Sequence, residues 1–217
     1  MLSEKNADDF EEVLENSNCT IRSCLRLEVR GSTTYSAATR MAKTLRCILT
    51  LSPSSLLLKF WPILDLRTLA TVAHCSPNSI EHLFLGEFNF TDVYDLDGLL
   101  VNFPNVRELH MDDCILDRNT TPYTRGVLFK FTPQLHSLKL SRCKVDSFLR
   151  YFLRGRIAPT HLLSIKGVTY GDVSVVGEYF SMVGNVLQEI QIAFRHNSYQ
   201  DVLGTGTLRY SVLDVLT

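Results

Sequence analysis

The sequence predicts an α/β fold in which strand-plus-helix units stack into a solenoid, with a parallel β-sheet on the concave face and helices on the convex face. Three observations carry this expectation. The stretch LHSLKLSRCKV, Leu135 to Val145, has apolar residues at its first, fourth, sixth, ninth and eleventh positions, and the same spacing recurs from Val106 and from Ile80. Segments with helical spacing lie between these strand-like pieces. The unit starts, near residues 24, 55, 80, 106, 135, 160 and 187, are separated by 25 to 31 residues.

In phase, the three best-matched units carry Ile80, Leu83, Leu85, Phe88 and Phe90, then Val106, Leu109, Met111, Cys114 and Leu116, then Leu135, Leu138, Leu140, Cys143 and Val145. In a chain that is 45% apolar, filling all these slots by chance has a probability on the order of one in 10⁵, before allowing for the choice of phase. Repetition is therefore the organising feature.

Taken in order, ADDFEEVLENSN offers Phe10, Val13 and Leu14 as the helix of a unit whose strand is missing. Leu27 and Val29 belong to a strand beginning near Cys24, and Met41, Leu45, Ile48 and Leu49 to the helix after it. Leu58, Phe60 and Ile63 fit a unit beginning near Ser55. After the strand at 82–86, Val93, Leu96, Leu100 and Phe103 share one helical face, with Thr91 or Asp92 as cap and Pro104 as stop. Strands follow at 108–112 and 137–141, and then a helix with Phe148, Leu149, Phe152 and Leu153 inward and Asp146 or Ser147 as cap. The unit from Thr160 places Leu163, Ile165, Val168 and Tyr170 in the apolar slots of a strand at 162–166, before a helix bearing Val173, Val176, Phe180 and Val183. A strand at 189–193 carries Ile190 and Ile192, although Arg195 and Asn197 stand where apolar residues are expected. The closing SVLDVLT starts a strand with no helix after it. Residues 1–217 thus read as a single repeat domain, expected to be incomplete at one or both ends and to expose apolar surface there.

Because strand side chains alternate, the fourth and sixth positions of each unit face the helices and the intervening ones face the opposite way. Those outward positions read polar: His82 and Phe84, Glu108 and His110, Ser137 and Lys139, Ser164, Glu189 and Gln191. With Asp112 and Arg142 at the strand ends, the candidate partner-binding residues are His82, Phe84, Glu108, His110, Asp112, Lys139 and Arg142.

At VRELHMDDCIL and LHSLKLSRCKV the chain resembles leucine-rich repeat proteins, LxxLxLxx(N/C)xL, with Cys114 and Cys143 in the Asn/Cys position. The uneven unit length and the FPN before a strand, Phe103 to Asn105, resemble the leucine-rich-repeat-like regions of F-box proteins, especially divergent fungal ones. The resemblance covers about residues 20 to 217. A second similarity, to the F-box itself, runs from Pro53 to Cys75 through Leu56, Phe60, Leu64, Asp65 and Leu69, with Pro62 interrupting a stretch that should be helical. What the resemblance implies is a protein-binding module that recognises substrates for a cullin-type ubiquitin ligase, reached through a Skp-family adaptor. The alternative expectation is a scaffold or sensor repeat domain unrelated to ubiquitin.

The rest of the sequence narrows the chemistry. With 22 basic and 23 acidic side chains the net charge is −1, so no overall field draws the protein to nucleic acid or to an anionic membrane surface. An acidic start without a signal-peptide pattern and the absence of a long apolar run place the expectation in the cytoplasm or nucleus. Six cysteines without CxxC pairs read as reduced, buried thiols. His136 and His161 fall side by side in adjacent units, but no third ligand sits in register, so neither a metal nor another cofactor is expected. LGTGTLRY, Leu203 to Tyr210, lacks the third glycine of a dinucleotide loop and the lysine of a phosphate loop, and GxSxG and HExxH are absent, so the expectation is a protein that is not an enzyme.

Overall fold

The computed structural model describes residue 12 and residues 26–30, 54–59, 79–117, 134–195 and 207–211. Among the described residues, eight strands form one sheet: β1 (Arg26–Arg30), β2 (Ser55–Lys59), β3 (His82–Gly86), β5 (Glu108–Asp112), β7 (Ser137–Ser141), β8 (Leu162–Val168), β9 (Glu189–Phe194) and β10 (Thr207–Ser211). Two short strands, β4 (Asn89–Phe90) and β6 (Ile115–Leu116), pair parallel in a second sheet. The large sheet follows chain order. All its neighbours from β1 to β9 are parallel, and only β10 runs antiparallel, against β9. The architecture is mixed α/β with a mostly parallel sheet. Each strand expected between residues 82 and 193 is present at its expected place.

The inward rows explain the register. Leu56, Leu83, Leu109, Leu138 and Leu163 lie side by side across five strands, and Leu58, Leu85, Met111, Leu140 and Ile165 form the next row. None of these ten is more than 1% exposed. A slip of one residue in any strand would turn its row toward solvent, so the apolar pattern itself specifies the pairing.

The large-sheet strands β3, β5, β7 and β8 each reach a left-handed residue five positions after their first: Glu87 (φ 60°), Asp113 (φ 54°), Arg142 (φ 54°) and Gly167 (φ 89°). Three of the four are not glycine, so each carries a steric cost of about 1 kcal/mol or more. The turn sends the next residue inward, and Phe88, Cys114, Cys143 and Val168 are all buried. Neighbouring strands compensate the backbone, as the Glu87 N–H donates to the Asp112 carbonyl at 2.8 Å and the Asp113 N–H to the Ser141 carbonyl at 2.9 Å.

Helix α1 (Val93–Leu100) begins as expected, with Asp92 Oδ1 accepting from the Asp95 N–H at 2.9 Å and Asp95 Oδ2 accepting in return from the Thr91 N–H at 3.1 Å. It ends before Phe103, which is nevertheless buried, and Leu99 joins Val93, Leu96 and Leu100 inside. Helix α2 (Val145–Gly155) starts one residue before the expected caps: Lys144 is the N-cap without a side-chain hydrogen bond, and Asp146 and Ser147 fall in the first turn. Phe148, Leu149 and Phe152 face the core as expected. Tyr151 is fully buried with them while Leu153 is only half-buried, and the Tyr151 hydroxyl reaches Asp97 at 3.1 Å.

Helix α3 (Val173–Val183) corrects the expectation most. Val175, Val176, Tyr179 and Val183 form its buried face, whereas Val173 is 49% exposed and Phe180 half-buried. Tyr170, expected in an apolar slot, is 96% exposed. The cause is a 3-10 turn, Tyr170–Asp172, closed by a capping box in which Asp172 Oδ2 accepts from both the N–H and the Oγ1 of Thr169, at 2.8 and 2.6 Å. That turn resets the phase of α3. The Tyr179 hydroxyl then donates to the Ile157 carbonyl at 2.7 Å, which ties the helix to the preceding unit.

The helix at Met41 to Leu49, the N-terminal segment with Phe10, Val13 and Leu14, and the F-box-like stretch beyond Lys59, including Trp61, lie outside the described residues. The start of that stretch, Ser55–Lys59, is a strand. No helix among the described residues is long and apolar enough to cross a membrane.

Candidate functional site

The sheet surface opposite the inward rows is built by the same alternation. Its first row runs His82, Glu108, Ser137 and Leu162, its second Leu57, Phe84, His110, Lys139, Ser164 and Gln191, and its third Lys59, Gly86, Asp112, Ser141 and Lys166. Strands spaced by about 4.8 Å make each row a set of contacting side chains. The structure thus brings six of the seven candidate residues onto one surface. The seventh, Arg142, joins them from the turn after β7.

In the first row His82 Nδ1 lies 3.2 Å from Glu108 Oε2, both side chains being more than two-fifths exposed. In the second row the Phe84 and His110 rings meet edge to face at 4.4 Å. The Lys59 ammonium stands 5.6 Å from the Phe84 centroid. Gly86 makes room for it, since a Cβ there would come within 2.9 Å of Lys59 Cγ and 3.1 Å of the Phe84 ring. Arg142 clamps Asp112 with two parallel bonds, Nε to Oδ1 at 3.0 Å and Nη2 to Oδ2 at 2.6 Å. The charges pair between neighbouring strands: Asp112 takes Arg142 and Glu108 takes His82, while Lys139 has no ion pair among the described residues.

Two outward positions need correction. Ser137 and Ser164 are each only 4% exposed, although the alternation placed them on the open face. Both point that way, but their short side chains sink between larger neighbours, Ser137 between Glu108 and Leu162 and Ser164 between Lys139 and Gln191. Ser164 donates to Gln191 Oε1 at 3.3 Å, whereas Ser137 Oγ has no hydrogen-bond partner among the described residues. Ser137 lines a cavity of about 220 Å³ that opens on this surface between β2 and β7 and is walled by Leu57, His82, Phe84, Glu108, His110 and Lys139. Sequence reasoning named most of that wall but missed Ser137 as its buried hydroxyl, because burial of a small residue depends on the size of its neighbours.

The remaining constellations are structural. His136 and His161 stack face to face, 4.6 Å between centroids and 7° from parallel, with His161 Nδ1 held by Gln188 Oε1 at 2.7 Å. Parallel rings do not converge on one point, and no cluster of three metal-ligating side chains occurs among the described residues. Cys114 and Cys143 are free and buried, and their thiols donate to the carbonyls of Leu85 at 3.4 Å and Met111 at 3.5 Å. Hydrogen bonding to Cys143 and then burial push the Cys114 thiol well above its usual range. It serves the loop backbone as a thiol.

The surface also carries a pH signature. Burial, followed by the fields of Lys139 and Lys166 and opposed by Asp112, lowers the His110 pKa below its ordinary 6.5. Its hydrogen bond to Arg142 holds the Asp112 carboxyl below the ordinary 3.8. Both groups bind protons more readily in the unfolded chain, so both make the fold lose stability as pH falls. For His110 the loss begins as pH drops through 6.5 toward its folded value, and for Asp112 as it drops through 3.8. Urea midpoints measured across this range should fall in both windows. His110→Gln should flatten the first window and Arg142→Gln the second; unchanged profiles would contradict these assignments.

No protein-family model, curated protein or solved structure matches the chain.

Proposed function

We propose that this chain is a leucine-rich-repeat-like solenoid that binds a protein partner through the outward face of its sheet. The reading draws on its resemblance to the repeat regions of F-box proteins, and the setting it suggests is substrate recognition for a cullin-type ubiquitin ligase, with a Skp-family adaptor as the second partner. The observation that carries it is the division of labour within each strand. Rows of leucine-type residues are wholly buried on one side, while on the other His82, Phe84, Glu108, His110, Asp112 and Lys139 stand in register at the surface and contribute little to the core. A face assembled from one residue per unit suits recognition of an extended partner, because adjacent strands present a different side chain every few ångströms.

The test separates face from fold. His82→Glu, at an exposed position, and Lys139→Glu, at a half-buried one without an ion pair among the described residues, should move the thermal midpoint little, since surface substitutions typically cost within about 0.5 kcal/mol. They should reduce capture of the partner. Arg150→Glu on α2, whose guanidinium pairs with Asp146 at 2.8 Å, should leave capture unchanged. Equal loss from both faces, or none from the strand face, would remove the basis of the reading. Direct binding of a purified Skp-family adaptor tests the ubiquitin-ligase setting separately.

A further inference from the structure

The cavity between β2 and β7 has an unusual balance of polar groups. Ser137 is 96% buried by area and its Oγ lacks a hydrogen-bond partner among the described residues. Lys139, two residues on along the same strand and on the same face, has no ion pair among the described residues. The carboxylate that lines the cavity, Glu108, is engaged by His82 at 3.2 Å. One wall is aromatic, formed by the Phe84 and His110 rings in edge-to-face contact. A buried hydroxyl without a partner costs about 1 to 3 kcal/mol, and an unpaired ammonium on a partly desolvated wall adds to that cost. A water needs roughly 10 to 15 Å³, so a cavity of about 220 Å³ has room for a side chain.

We propose that this cavity seats the carboxylate of an aspartate or glutamate in an extended acidic segment of the partner. The Ser137 hydroxyl and the Lys139 ammonium donate to the carboxylate, and the Phe84 and His110 rings cover its methylenes. An ammonium side chain would meet Lys139, and an apolar one would leave both donors desolvated; a carboxylate matches the two groups that lack partners. On the next strand Lys166, exposed and likewise without an ion pair among the described residues, offers a second cation for a neighbouring acidic residue. This inference rests on the strand face being the recognition surface, and it specifies the chemistry recognised there.

The probe is a fluorescently labelled decapeptide of alternating glutamate and alanine, blocked at both ends, with a glutamine-for-glutamate peptide of the same length as reference. Fluorescence anisotropy with the full chain should show tighter binding of the glutamate peptide. Because a hydrogen bond to a charged group contributes about 1.5 to 3 kcal/mol, Lys139→Gln should weaken that binding by about tenfold or more. Ser137→Ala should weaken it while leaving the unfolding midpoint unchanged or higher, since the hydroxyl it removes has no partner among the described residues. Arg154→Gln, which removes a cation from α2, should have no effect on the peptide. Equal affinity for the two peptides, or equal loss from Lys139→Gln and Arg154→Gln, overturns the carboxylate seat. If in that case His82→Glu still abolishes capture of the partner, the strand face remains the recognition surface and only its acidic specificity falls.

Discussion

Replacing Phe148 by alanine is expected to lower the unfolding free energy by about 3 to 5 kcal/mol, the range for truncating a fully buried aromatic. Phe148 is 0% exposed on the inner side of α2. Its ring meets Phe90 edge to face at 6.4 Å, and Phe90 stacks on Phe88 at 5.5 Å. These three rings come from the β3–β4 and α2 segments, which β5, β6 and β7 separate in the chain, so the cavity left by the substitution would open between segments distant in sequence. Urea unfolding should show the loss as a lower midpoint at nearly constant slope, with Phe148→Leu costing clearly less. A loss below about 1 kcal/mol would mean that this aromatic junction is not part of the cooperative core.

Asp172→Ala is expected to cost about 2 to 4 kcal/mol, an unusually large effect for a residue in a turn. Asp172 is 9% exposed, and its carboxylate serves two units at once. Oδ2 accepts from the Thr169 N–H and hydroxyl, and Oδ1 accepts from the Asp146 N–H at 3.2 Å in the first turn of α2. Alanine would leave two backbone donors without their acceptor and remove a negative charge from beside the N-terminus of α2, where the helix dipole favours it. Asp172→Asn keeps an acceptor but loses the charge, so its cost should fall between wild type and alanine. Equal stability of all three proteins in chemical denaturation would refute the cross-unit cap.

Asp172 also marks the limit of what could be read in advance. GDVSVVGEYFSMVGN contains two overlapping apolar faces, and spacing favoured the one with Val173 and Phe180. The turn at Tyr170–Asp172 instead chose the one with Val175 and Tyr179. The same holds for α2, where Tyr151 entered the core in place of Leu153 because Asp97, from α1, offered its hydroxyl an acceptor. Lys144 opens that helix without a side-chain cap, while a carboxylate from the following unit satisfies the Asp146 N–H. Local sequence contains no sign of such a donor-acceptor match across 26 residues.

By itself the sequence determined the positions of the five large-sheet strands between residues 82 and 193 and the rows of leucine-type residues beneath them, though not the short β4 and β6, because a two-residue period with one apolar side admits a single buried face. It also determined which side chains stand on the opposite face, since alternation leaves no other place for Glu108, His110 and Lys139. Only the tertiary structure decided how deep each of these lies and what it meets. Ser137 is buried by the bulk of Glu108 and Leu162, Glu108 turns to His82, and Asp112 turns to Arg142 in the next unit. Alternation is a property of one strand, whereas burial and pairing on a sheet surface depend on side chains brought alongside from units about 25 to 30 residues away.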